Sequence, residues 1–169
     1  FEAILGIKEH PEIKNPMINV NRLVAKKMKE RIKYDEKFFW LVIQTTCATS
    51  VRTPSPEVLI NLSKMYKGSN VKIIYVGGEQ WLPSYAKAWY NNGLNLMDSL
   101  SLEEYVSLIS IADGIIAPDS SGPHIAAALN KKCIALFGNI DPYTRIHYYP
   151  TVKAVYPKGV LPCIPCGDS

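Results

Sequence analysis

The residues best suited to chemistry stand in one string, Asp119-Ser120-Ser121-Gly122-Pro123-His124. Asp and Ser favour the start of a helix, and Gly122 presents backbone with no side chain in the way, so free amide N–H groups face outward at a positive helix end. Such an end attracts anions. His124, in the first turn, adds a donor that can be protonated beside a phosphate, and Asp119 can accept a hydrogen bond from a hydroxyl. Ala126, Ala127 and Ala128 follow, small enough to let the helix lie close to its support. The plain alternative for the string is an ordinary capped helix with a surface histidine.

Three more polar clusters stand upstream, each after an apolar run. TTCATSVRTPSP (45–56) is rich in hydroxyls, Thr45 and Thr46 among them, and carries one cation, Arg52. GGEQW (77–81) has two glycines that permit close backbone approach and Glu79, which can accept from a ribose diol. SLSLEE (99–104) holds Leu100 and opens a helix.

The segments that must position these clusters alternate between strand and helix. Val20, Val24, Met28 and Ile32 recur every four residues with Lys and Arg between them, which predicts an amphipathic basic helix. Strands are predicted at 38–44, 71–78, 94–98, 114–118, 132–138 and 153–157, and helices at 55–68, 84–92, 101–112 and from the Asp119 string to about Asn130. Ser55 is placed to cap the second helix and Gly68 to end it. Strands rich in Ile and Val, separated by helices, imply a Rossmann-like α/β domain: a parallel sheet of about six strands with helices on both faces. In such a sheet ligands lie outside the carboxyl ends of the strands, where strand order reverses. The polar clusters all fall on those ends.

Composition bounds the rest. The chain has 169 residues, 47% apolar and 20% charged, which suits one domain with a substantial core. Its formal charge of +4 is concentrated in the first 37 residues, which hold nine of nineteen Lys/Arg against six of fifteen Asp/Glu. The remainder is near neutral, so no nucleic-acid partner is expected. FFWLVI (38–43) is far shorter than the roughly 20 residues that span a bilayer. Four cysteines, one of them in an apolar strand, suggest a reducing cytoplasm. Cys163-Ile-Pro-Cys166 has the spacing of a zinc or redox pair, but no second pair completes it and no metal is expected.

Taken in order, these residues resemble the family 9 glycosyltransferases, whose best-studied members are the lipopolysaccharide heptosyltransferases, in their C-terminal nucleotide-sugar-binding domain. The resemblance rests on Thr45, Thr46 and Arg52 after the first strand, Val-Gly-Gly-Glu (76–79), Ser-Leu-Glu-Glu (101–104), Ala-Asp (112–113), DSSGPHIAAAL (119–129), ALFGNIDP (135–142) and a late Cys-x-x-Cys, and spans about residues 38–166. It implies one half of a two-domain GT-B fold, with residues 1–37 as interdomain linker and basic helix and 38–169 as the nucleotide-sugar-binding domain.

The resemblance further implies an inverting transfer from a nucleoside diphosphate sugar, ADP-linked heptose being favoured, without metal or other cofactor. Thr45, Thr46 and Arg52 would contact the donor phosphates, Glu79 the ribose and Leu100 the base. Ser120, Ser121 and Gly122 would offer N–H groups to the diphosphate, with His124 beside it and Asp119 near the transferred sugar. In the family pattern, Asp-Ser/Thr-Gly-x-x-His, the glycine stands one place earlier than Gly122, whereas the Asp-to-His spacing is the same. The acceptor half and the catalytic base belong to an N-terminal domain that this chain lacks, so no catalytic residue is assigned here. The partners implied are that domain and a lipopolysaccharide, other glycan or lipid-linked acceptor, which would place the protein in the cytoplasm at the inner membrane face. The competing readings are a non-catalytic nucleotide or nucleotide-sugar module and a GT-B-type sugar-nucleotide epimerase.

Overall fold

The structure, a computed structural model, describes residues 16–78 and 93–157. Along it run α1 (Arg22–Ile32), β1 (Phe39–Gln44), a 3-10 turn (Ser50–Arg52), α2 (Pro56–Met65), β2 (Val71–Val76), β3 (Leu94–Asn95), α3 (Leu102–Ile111), β4 (Gly114–Pro118), α4 (Ser121–Ala128), β5 (Lys132–Leu136), α5 (Tyr143–Ile146) and β6 (Val152–Val155). The predicted helix at 84–92 and the Cys163–Cys166 pair lie outside the described residues.

The six described strands form one parallel sheet in the order β3-β2-β1-β4-β5-β6. Side chains alternate across it, as strand geometry requires. Trp40 and Val42 of β1 face a core built with Met28 and Ile32 of α1, Val106 and Ile109 of α3, and Ile125 and Ala126 of α4. Leu41 and Ile43 face the other way, onto Leu59 of α2. Each buried aliphatic side chain contributes about 1.5–3 kcal/mol to this packing. The expected helices on both faces are therefore present.

The helix ends follow from local chemistry. Asn21 caps α1 by accepting from the amides of Leu23 and Val24, and Lys33 closes it in the left-handed conformation at φ 53°. Met28 and Ile32 are buried, and Asn21 donates to Glu103 Oε1 at 2.9 Å. Thus α1 packs against the same core as the sheet. Its repeat of apolar residues signalled burial, but not against which element.

Ser101 and Glu104 form a capping box on α3. Ser55 occupies the N-cap of α2 without a side-chain cap bond, and the helix ends before Gly68, at Met65. The third strand is shorter than predicted: beyond Asn95 the chain turns, with Asp98 at φ 50°, although Leu96 and Asp98 still donate to the Tyr75 and Gly77 carbonyls. None of the described helices is long and apolar enough to cross a membrane.

Candidate functional site

The chain leaves β1 on one side toward β2 and β3, and reaches β4, β5 and β6 on the other. The reversal of strand order therefore lies between β1 and β4, and the loops at their carboxyl ends, 45–52 and 119–121, flank the crevice where such sheets hold ligands. The loop after β5 joins them: a Cβ on Gly138 would sit 3.3 Å from the Val51 carbonyl.

Asp119 is 6% exposed, and its Oδ2 has no hydrogen-bond partner among the described residues. Arg52 reaches it from the other loop, Nη1 lying 2.9 Å from the Asp119 carbonyl oxygen and 3.9 Å from Oδ2, while Nε donates to Thr49 Oγ1 at 3.1 Å. A buried carboxylate oxygen without a partner is costly, and a ligand hydroxyl is a fitting donor for it. Ser120 takes the N-cap position of α4 but makes no side-chain cap bond. The first-turn amides consequently receive no acceptor from it. Ser121 is exposed at the helix start.

His124 is half-buried, and its Nδ1 lies 2.9 Å from Tyr149 Oη, with the rings edge to face at 5.6 Å. The phenol is a residue that the sequence did not reveal, because it stands 25 positions downstream in an aromatic-rich loop. One imidazole nitrogen is thereby engaged, and Nε2 is the nitrogen left for a ligand.

Thr45 and Thr46 follow directly on the end of β1. Both are buried, and the Thr45 hydroxyl donates to the Val76 carbonyl at 3.0 Å, while Thr46 Oγ1 accepts from Gly78 N at 2.7 Å and donates to Gly78 O at 3.2 Å. Their hydroxyls stitch the end of β1 to the end of β2. Gly77 has the same internal purpose: at φ 124° its Cβ would fall 2.6 Å from Thr46 Oγ1. Gly122 likewise answers to the protein. It is buried, and a Cβ there would meet Gln44 Oε1 at 2.6 Å and Ala117 Cβ at 2.7 Å.

On the β2 side of the crevice a cleft of about 230 Å³ opens between the ends of β1, β2 and β3 and the start of α3. Gln44, Val76, Gly77, Leu96 and Leu100 line it. Glu79, the predicted ribose contact, lies outside the described residues. Gln44 also went unremarked in the sequence. Its amide meets Tyr105 Oη at 2.8 Å, the Thr46 carbonyl at 2.9 Å and Ser120 Oγ at 2.7 Å, linking the cleft to the start of α4. Burial holds the Tyr105 phenol well above its ordinary ionisation range, with Cys133 adding to the effect. Among the described residues no group of three His, Cys, Asp or Glu side chains could hold a metal ion.

The sequence model of glycosyltransferase family 9 (heptosyltransferase) matches residues 62–165. The chain belongs to this family. Family 9 members are also among the solved structures that share its fold. The structure of E. coli ADP-heptose lps heptosyltransferase II superposes with a TM-score of 0.70 at 17% identity, covering 93% of this chain and 52% of that one. The glycosyl transferase family 9 structure from Veillonella parvula DSM 2008 gives 0.76 at 11% identity, covering 92% and 47%. E. coli heptosyltransferase WaaC with ADP gives 0.65 at 16% identity, covering 94% and 49%. This family 9 chain thus spans about half the length of the structures it matches. A search of the curated proteins finds no match.

Proposed function

We propose that this chain is the donor-binding half of an inverting family 9 glycosyltransferase that moves a sugar from a nucleoside diphosphate sugar to a lipopolysaccharide or other glycan acceptor. The observation that carries the reading is the convergence, at the strand-order reversal, of Arg52, the uncapped start of α4 and an Asp119 Oδ2 that receives no hydrogen bond among the described residues. The two cationic or donor groups suit a diphosphate, and the Asp119 oxygen suits a hydroxyl of the transferred sugar. The adjoining cleft has room for a base and ribose, with Leu100 as its apolar wall.

During transfer the nucleoside diphosphate departs with the bonding pair of the sugar–oxygen bond. Arg52, the α4 amides and His124 Nε2 stabilise the charge that develops on it. The acceptor hydroxyl must lose a proton on the opposite face of the sugar, and the base for that step is assigned to a partner domain, not to this chain. The transfer is read as metal-independent, the charge on the leaving group being met by protein donors. Thr45 and Thr46 hold the loops in place and are not counted among the ligand contacts. A donor carrying ADP-linked heptose is the reading favoured by the family's heptosyltransferase members. An acceptor bound at the inner membrane face fits the outward face of α1, where Lys26, Lys27 and Lys33 are exposed.

Titration of the 169-residue chain with ADP, UDP and GDP tests this. ADP is expected to bind most tightly and, at about 100 times its Kd, to stabilise the fold by about 2.7 kcal/mol in a thermal-shift series. Arg52→Ala and His124→Ala should each weaken binding about tenfold or more, as expected for a lost bond to a charged group. Unchanged affinity in both variants would remove the site assignment.

A further inference from the structure

Gln44 closes β1 at the crevice and is 8% exposed. The chemistry of its partners fixes the direction of all three of its hydrogen bonds. The Thr46 carbonyl can only accept, so the NH2 end of the Gln44 amide faces it. Tyr105 Oη then lies against the carbonyl end, and, being a buried neutral phenol, donates its proton to Oε1. The remaining amide hydrogen points at Ser120 Oγ, 2.7 Å away. Ser120 is therefore an acceptor in that bond. Its own O–H proton is not used in that bond, and its oxygen accepts no cap bond from the first turn of α4.

We propose that Tyr105 and Gln44 are positioning residues that set the hydroxyl direction of Ser120, so that Ser120 donates its proton to an anionic oxygen of the bound nucleoside diphosphate. Polarity then runs one way, from the Tyr105 O–H to the Gln44 carbonyl, from the Gln44 amide to Ser120 Oγ, and from the Ser120 O–H to phosphate. The proposal rests on the donor-binding reading above and names the device that orients one of its donors. Gly122 supplies a second, independent observation. A Cβ there would lie 2.6 Å from Gln44 Oε1 and 3.0 Å from Tyr105 Oη, so the first turn of α4 can seat against this pair only with glycine at that position. The pair and the anion-facing turn are thus held as one rigid unit.

A double-mutant cycle on ADP affinity of the 169-residue chain provides the test. Ser120→Ala is expected to weaken ADP binding about tenfold, the scale of a hydrogen bond to a charged group. Tyr105→Phe should weaken it about threefold in the otherwise unchanged chain and have no further effect in the Ser120→Ala background. A merely structural Tyr105 would cost the same in both backgrounds, and that result, or no effect in either, overturns the proposal. Should Tyr105→Phe fail to fold, Gln44→Met, close to glutamine in shape and without its hydrogen bonds, enters the same cycle with the same expected pattern. If the unsubstituted chain binds none of ADP, UDP and GDP, the donor-binding reading fails and takes this proposal with it. That failure is visible before any variant is made.

Discussion

At the scale of single residues, the glycines of the site serve the protein's own packing. Gly122 looks in sequence like an opening for a ligand, and it lies in the first turn of α4. Its missing side chain, however, makes room for Gln44, Ala117 and Tyr105. Gln44 Oε1 is held by the Tyr105 hydroxyl and Ala117 is fixed in β4, so neither yields cheaply. Gly122→Ala should therefore lower stability by about 1–3 kcal/mol, measured as a fall in denaturant midpoint with unchanged slope. The threonines carry the same lesson. Thr45 and Thr46 were legible as hydroxyls after a strand, but their partners in the protein lie 31 and 32 positions away and were not. Arg52 and Asp119 were legible as polar residues in separate loops, and the fold joins them across 67 positions.

At the scale of elements, most boundaries came from caps and periodicity. The Ser-Leu-Glu-Glu opening of α3 was readable because a capping box is a local device, closed within four residues. Removing its hydroxyl by Ser101→Ala should cost about 1 kcal/mol in chemical denaturation. The Glu104 carboxyl is held below the usual range, first by the Ser101 backbone amide, then by the Ser101 side chain, with Arg31 at 3.3 Å adding a smaller effect. A depressed carboxyl pKa in the folded state means a stabilisation that is complete above the ordinary glutamate range and is lost as pH falls through the lower folded value. Glu104→Gln should accordingly flatten the acid limb of the stability curve while leaving the capping geometry in place. The two elements not anticipated, the 3-10 turn at Ser50–Arg52 and the short α5, carry no periodic signal because each is under two turns long.

At the scale of the whole molecule, the parallel sheet makes one strand's interior a gauge of global opening. Cys133 sits in β5 between β4 and β6, is 2% exposed, and burial pushes its thiol up to about 12. At pH 8 a thiol reagent should leave Cys133 unmodified in the native state and label it as the domain unfolds, read by mass spectrometry of the peptide that contains it. Fast native-state labelling would show that β5 and β6 open independently of the rest. By itself the sequence determined the alternation of strands with helices, the parallel sheet that this alternation demands, and the polar loops at the strand ends, because periodicity, caps and chain order are local properties. Only the tertiary structure decided which polar groups those loops leave unspent. A hydroxyl's role depends on where its bond goes, and the bonds that settle it here, from Gln44 to Ser120 across 76 positions and from His124 to Tyr149 across 25, exist only once the chain has folded.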